Sequence, residues 1–177
     1  LMGLPLVVSE YRERKILKRF KVTPISPVML LTVEFLIYVI YSVISLATII
    51  PVAMMFWKVE IHGSWIAFVG SWLLTTVSTL SIGMMVGGIA QNAKTASVIA
   101  CILYFPMLIF SGATLPFEVM PKGMQTVVQF FPITQGIQLM KSTFLGTPLS
   151  NAWLPVFVML AITIICSGVA IKCFKWE

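Results

Sequence analysis

The chain has 177 residues, of which 59% are apolar and only 10% charged, and its mean hydropathy is +1.00; soluble domains carry roughly a quarter charged residues, so a water-facing fold is excluded. The net charge of +6 sits in short segments between apolar runs and is not interleaved with exposed aromatics, which argues against nucleic acid as a partner. Cys101, Cys166 and Cys173 are odd in number and lie in or beside apolar runs, which argues against a disulfide framework or a zinc site.

Several apolar runs reach the length of about 20 helical residues that a hydrocarbon core roughly 30 Å thick requires. They are continuously apolar rather than alternating, so the expected fold is all-α, a polytopic transmembrane helical bundle, and not a barrel. No cleavable signal peptide is visible. Residues 1–8 are apolar but too short to span, and read as the end of a preceding span, the natural protein beginning earlier. Ser9 to Lys21, SEYRERKILKRFK, carries six basic and two acidic residues with an apolar edge of Ile16, Leu17 and Phe20; it reads as a short interfacial helix. The prolines of Thr23-Pro24-Ile25-Ser26-Pro27 end it. Spans are predicted at about 28–57, 65–90, 96–110 and 152–171. The first, about 45 Å long as a helix, must tilt or kink, with Pro51 as the kink and Trp57 and Lys58 at the interface. Residues 111–151 are punctuated by Pro116, Pro121, Pro132 and Pro148 and by Gly112, Gly123, Gly136 and Gly146. Such a segment fits short re-entrant or surface helices whose backbone is buried in protein or faces water.

Counting Lys and Arg on alternate sides of these four spans gives nine with the basic segment and the C-terminus, and three with the Pro/Gly region. The positive-inside rule then puts the basic segment and the C-terminus in the cytoplasm and the Pro/Gly region outside.

The basic segment has two readings. As a juxtamembrane marker attracted to anionic lipid it gains about 1 kcal/mol per basic residue, but Glu10 and Glu13 contribute nothing to that attraction. A mixed-charge helix suits a protein partner, where paired charges set register and specificity. Glu10-Tyr11-Arg12-Glu13, followed by Leu17 and Thr23-Pro24-Ile25-Ser26 ahead of a long span, resembles the coupling helix of the type-2 ATP-binding-cassette (ABC) exporter permease family. Phe110-Ser111-Gly112-Ala113-Thr114-Leu115-Pro116, then Met120-Pro121, Phe131-Pro132-Ile133-Thr134 and Gly146, resembles the extracellular re-entrant segment before the last span of the same family. Together the motifs and span pattern cover nearly the whole chain.

The resemblance implies a permease subunit of six spans, the first and most of the second missing here. It implies pairing with a second permease subunit, identical or not, in a bacterial inner (plasma) membrane, above two ABC ATPase subunits that hold ATP and Mg. ATP-driven closure of those subunits would push the coupling helix, residues 9–21, through Glu10, Tyr11, Arg12, Glu13, Arg14, Lys15, Leu17 and Lys18. The re-entrant turn would be built on Ser111, Gly112, Pro116, Pro121 and Pro132. The cargo of such exporters is a drug, antibiotic, lipid or polysaccharide, and the short loops favour a small or amphiphilic one.

Other features stand on the residues alone. Ala67, Ser71, Thr75, Thr79, Gly83 and Gly87 recur every four residues, a ridge of small side chains for close helix packing or for lining a pathway. Glu34 is the one carboxylate well inside a span, either a functional polar site or a group that hydrogen-bonds within the bundle, reaches the interface or is protonated. His62, the sole histidine, reads as a solvated turn residue, and no metal site or catalytic group is expected. No G-x-x-x-x-G-K-[ST] loop occurs in the chain, so ATP hydrolysis is expected on another subunit. The rival classes are an ion-coupled transporter or channel, which calls for facing intramembrane charges or an inverted repeat, and a membrane enzyme, which calls for a catalytic cluster within the spans.

Overall fold

A computed structural model of the chain describes residues 1–14, 27–57, 63–112, 114, 120–146 and 153–173. Among them the fold is all-α: α1 (Gly3–Glu13), α2 (Pro27–Trp57), α3 (Trp65–Ile89), α4 (Ala93–Ile109), α5 (Lys122–Val128), α6 (Pro132–Leu145) and α7 (Trp153–Cys173). Stretches of α2, α3 and α7, at Met29–Phe56, Trp65–Ile89 and Trp153–Lys172, are long and apolar enough to cross a membrane, and α4 is a shorter apolar helix. At 1.5 Å per residue α4 extends about 26 Å, slightly less than the hydrocarbon core.

Local chemistry sets the helix limits. Pro27 opens α2 and Pro132 opens α6, where a missing N–H has no partner to lose. The α4 helix starts three residues before its predicted onset, because the Asn92 side chain accepts a hydrogen bond from the Thr95 amide at 2.7 Å and so caps it. Pro51 lies inside an unbroken α2.

The predicted division at residue 8 does not form. No Pro or Gly separates Val8 from Ser9, and Ser9 is as fully buried as Val8, so the apolar stub and the first charged residues make one helix. Glu10, Tyr11, Arg12 and Glu13 are thus the last turn of a packed helix rather than the opening of a surface helix; residues 15–26 lie outside the described residues.

The bundle is organised around α3, which touches α1, α2, α4, α6 and α7. It runs antiparallel to α2, since the Ser42 hydroxyl meets Thr76 at 3.4 Å while the start of α2 lies beside the end of α1. It runs parallel to α7: Ser78 donates to the Met159 carbonyl at 3.1 Å and meets the Thr163 hydroxyl at 2.9 Å, and Ser167 donates to Ser81 at 3.3 Å. One end of the bundle therefore gathers the C-termini of α1, α3 and α7 and the N-termini of α2 and α4. The opposite end carries Trp65 and the 85% exposed Trp153, side chains suited to a membrane interface.

At that second end α6 lies against α3 in the reverse direction, with Thr143 beside Ser71 at 3.2 Å and Gly136 beside Thr75. Thr75 is about 15 Å along the helix from Trp65, so the first turn of α6 lies alongside α3 at a distance from its start equal to roughly half the thickness of a hydrocarbon core. Gly63 ties the entry of α3 to the end of α6 by donating its amide to the Phe144 carbonyl at 3.2 Å.

Apolar surface gains little from leaving lipid for another apolar helix, so close approach and interhelical hydrogen bonds must hold such a bundle. The small residues of α3 serve this on two faces. Gly83 and Gly87 admit Pro5, Leu4 and Val8 of α1, and Ser71 and Thr75 admit α6. A second face, Ser78, Ser81 and Gly88, receives α7, with Gly88 against Ala170.

A Cβ placed on Gly136 would lie 2.7 Å from the Thr75 hydroxyl and closer still to its methyl group, whereas one on Gly70 meets nothing within 4 Å. Gly136→Ala is therefore expected to destabilise the detergent-solubilised protein by about 1–3 kcal/mol, lowering its melting temperature by about 2–4 °C per kcal/mol. Gly70→Ala is the control and should not lower it; equal melting temperatures for the two variants would refute this packing account.

Candidate functional site

The last turn of α1 and its C-cap residue Arg14 carry the polar side chains Glu10 to Arg14, and helical geometry sends them in different directions. Glu10 and Arg14, one turn apart, pair with each other at 2.6 Å on the exposed side. Such a surface pair adds little stability and leaves both groups accessible.

Between them Tyr11 and Arg12 turn to the bundle, and Glu13, itself exposed, reaches the start of α4. Tyr11 donates its hydroxyl to Glu34 Oε1 on α2 at 2.9 Å. Arg12 donates through Nη2 to the Gly88 carbonyl at 3.2 Å and through Nη1 to the Ala90 carbonyl. Glu13 Oε2 accepts from the Ala93 amide at 3.2 Å. The signs match the places. The last carbonyls of α3 lack helical donors and carry the negative end of its dipole, while the first amides of α4 lack acceptors and carry the positive end. A cation meets the first and an anion the second, across a turn of only three residues.

Glu34, which the sequence left open between several roles, is 8% exposed and held by Tyr11. It lies at the α1 end of α2, whose neighbouring residues Leu31, Phe35 and Tyr38 pack in one cluster with Leu4 and Val8 of α1.

The Ser111-Gly112 motif works as a helix stop. Ser111 donates its hydroxyl to the Leu108 carbonyl at 2.8 Å, and Thr114 donates to those of Leu108 and Ile109 at 2.9 and 2.6 Å. The final carbonyls of α4 are thereby satisfied without water, while Gly112, at φ +84°, turns the chain away as few other residues can. Pro121 caps α5, and Gly146 closes α6 at φ +68°. Lys15, Leu17, Lys18, His62 and Pro116 lie outside the described residues.

On the ridge, Thr79 donates back to the Thr75 carbonyl at 2.7 Å and Thr75 to that of Ser71 at 2.7 Å, so these hydroxyls are engaged within α3. Ala67 and Ser71 line a cavity of about 260 Å³ with Gly70, Leu74, Leu139 and Val156. That volume is below the roughly 300–1,000 Å³ of drug-sized sites. Thr134, which belongs to the motif read from the sequence, is 0% exposed in the first turn of α6, and Gln135 beside it, which sequence reasoning missed, is 2% exposed. Polar letters in a Pro/Gly-rich stretch look solvated until tertiary packing covers them. It also missed Gly88, Ala90 and Ala93, which act through backbone atoms that no side chain advertises.

If the Tyr11–Glu34 contact is the favourable hydrogen bond the geometry indicates, Tyr11→Phe and Glu34→Gln should show a coupling of about 0.5–2 kcal/mol in a double-mutant cycle of detergent unfolding. Strict additivity would count against it.

The comparisons place this geometry in a family. The family described as ABC-2 family transporter protein matches residues 1–172. Among curated relatives, the inner membrane transport permease YhhJ of Escherichia coli K12 is 24% identical over 156 residues, covering 85% of this chain and 41% of that protein. Nodulation protein J of Rhizobium leguminosarum bv. viciae is 30% identical over 86 residues, covering 49% of this chain and 33% of that protein. The same-named protein of Rhizobium meliloti is 28% identical over 83 residues, covering 47% and 32%. The matched stretches thus span a third to two fifths of those relatives. With its all-helical fold and its membrane-length apolar helices, this chain is a multi-pass membrane protein and belongs to the ABC-2 transporter family.

Proposed function

We propose that this chain forms part of the membrane-spanning permease subunit of an ATP-driven exporter, and that the charged end of its bundle faces the cytoplasm and docks an ABC ATPase subunit. ATP and Mg are held by that ATPase, and a second permease subunit, alike or different, completes the pore in a bacterial inner membrane. The cargo is a small or amphiphilic compound of the drug, antibiotic or lipid kind. Family membership and the name of the E. coli relative, a transport permease, support this reading.

One observation carries the docking role. Glu10 and Arg14 remain accessible on the last turn of α1, while Tyr11, Arg12 and Glu13 beside them hold α2, α3 and the start of α4. A partner that grips the exposed pair, together with the segment that follows, grips the ends of three helices at once. An ATPase that binds ATP more tightly in its closed state converts that difference into a population shift, and the permease follows the conformer whose charged end fits the closed motor. The rival reading, an ion-coupled transporter, gains no support from Glu34, whose contact with Tyr11 belongs to this anchoring.

Two measurements test the reading on the full-length protein. Glu10→Lys, and separately Arg14→Glu, should reduce the ATPase subunit that co-purifies with it; undiminished co-purification would remove these residues from the docking surface. For orientation, Lys94→Cys and Lys141→Cys are placed singly in a background whose native cysteines are replaced by alanine. A membrane-impermeant maleimide added to intact cells should label position 141 and spare 94. The reverse pattern would invert the proposed topology.

A further inference from the structure

We propose that Arg12 and Glu13 are positioning residues that clasp the turn between α3 and α4, making this elbow the place where movement of the charged segment enters the membrane bundle. The inference deepens the permease reading and rests on it.

The contact between α1 and α3 is otherwise one of close packing. Pro5 and Val8 lie on Gly83 and Gly87, and such a surface resists compression but offers no directional grip. The final turn is different. Arg12 engages two carbonyls at the end of α3, at Gly88 and Ala90, and the next residue engages the first amide of α4 at Ala93. Because neighbouring side chains on a helix diverge, the two grips pull from different sides of the turn. Their order also matters: exchanging them would set a carboxylate against carbonyls and a guanidinium against amides, both repulsive.

The clasped turn, Ala90 to Asn92, is the shortest route between two apolar helices, and Asn92 already caps α4 through its side chain. Gly88 also packs on Ala170 near the end of α7. A displacement of Arg12 and Glu13 therefore reaches α3 and α4 directly, and α7 through its packing on α3. Glu10 and Arg14, paired on the exposed side, are left for the partner. The same helical turn divides between outward and inward tasks.

The test uses the full-length protein with its ATPase subunit in nanodiscs, spin-labelled at Lys94→Cys and Lys141→Cys with the native cysteines replaced by alanine. The interlabel distance is measured with and without ATP and vanadate. Arg12→Ala is expected to abolish the nucleotide-dependent distance shift while the ATPase stays bound and keeps hydrolysing ATP. Arg12→Lys, which keeps the charge but lacks the fork that reaches two carbonyls, should restore part of the shift, and the exchange of Arg12 and Glu13 should restore none. A full shift in Arg12→Ala would overturn the clasp alone. Loss of the bound ATPase in Arg12→Ala would also overturn it, placing Arg12 on the docking face. Wild-type protein that binds no ATPase subunit would sink the permease reading and the clasp with it.

Discussion

A bundle embedded in hydrocarbon must be held by something other than the exclusion of water, because lipid tails solvate a leucine about as well as a neighbouring helix does. In this chain the substitute is the thinness of one helix. Along α3, serine, threonine and glycine replace bulk on two faces, letting α1 and α6 approach on one and α7 on the other. Close approach brings dispersion contacts and puts hydroxyls within reach of carbonyls and of each other. The outer helix α2 needs no such provision over most of its length, and it presents large exposed side chains such as Ile40, Tyr41, Ile44 and Met55.

The same scarcity of water makes helix ends the other decisive feature. Each terminus exposes backbone groups that no neighbour in the helix satisfies, and at membrane depth an unsatisfied group is costly. The chain meets this demand with different devices at its two ends. At the Trp65 end, the hydroxyls of Ser111 and Thr114 cover the last carbonyls of α4. At the charged end, Arg12 and Glu13 cover the close of α3 and the opening of α4 with full charges of the right sign. A residue pair that satisfies two helix ends also ties them together, so a requirement of stability creates a mechanical connection.

The membrane setting, the helical class and the approximate extent of the long helices were legible in the residues themselves. Continuous apolar runs of bilayer length have few alternatives to helix in lipid. Pro27, Asn92, Gly112, Pro132 and Gly146 act within a turn of their own position, so their consequences are local. Even the sites of close packing along α3 were visible as a four-residue rhythm of small side chains, though its second face, Ser78, Ser81 and Gly88, was not singled out. The start of the charged helix was misplaced because polarity changes at Ser9 while the backbone does not: a helix can pass from an apolar to a charged setting without breaking, and α1 does.

What the sequence alone determined was the membrane class, the helical elements and the charge at one end of them, because hydropathy, helix breaking and charge belong to individual residues and short runs. Which charges look outward and which look inward was decided by tertiary structure. Arg12 meets carbonyls 76 and 78 positions away, and every residue owns such a carbonyl, so no pattern of letters could mark Gly88 and Ala90 as its partners. Only the packing of α1 along α3, which brings these helix ends together, turns Tyr11 and Arg12 into the bundle, sets the exposed Glu13 against the Ala93 amide, and leaves Glu10 and Arg14 to pair with each other on the surface.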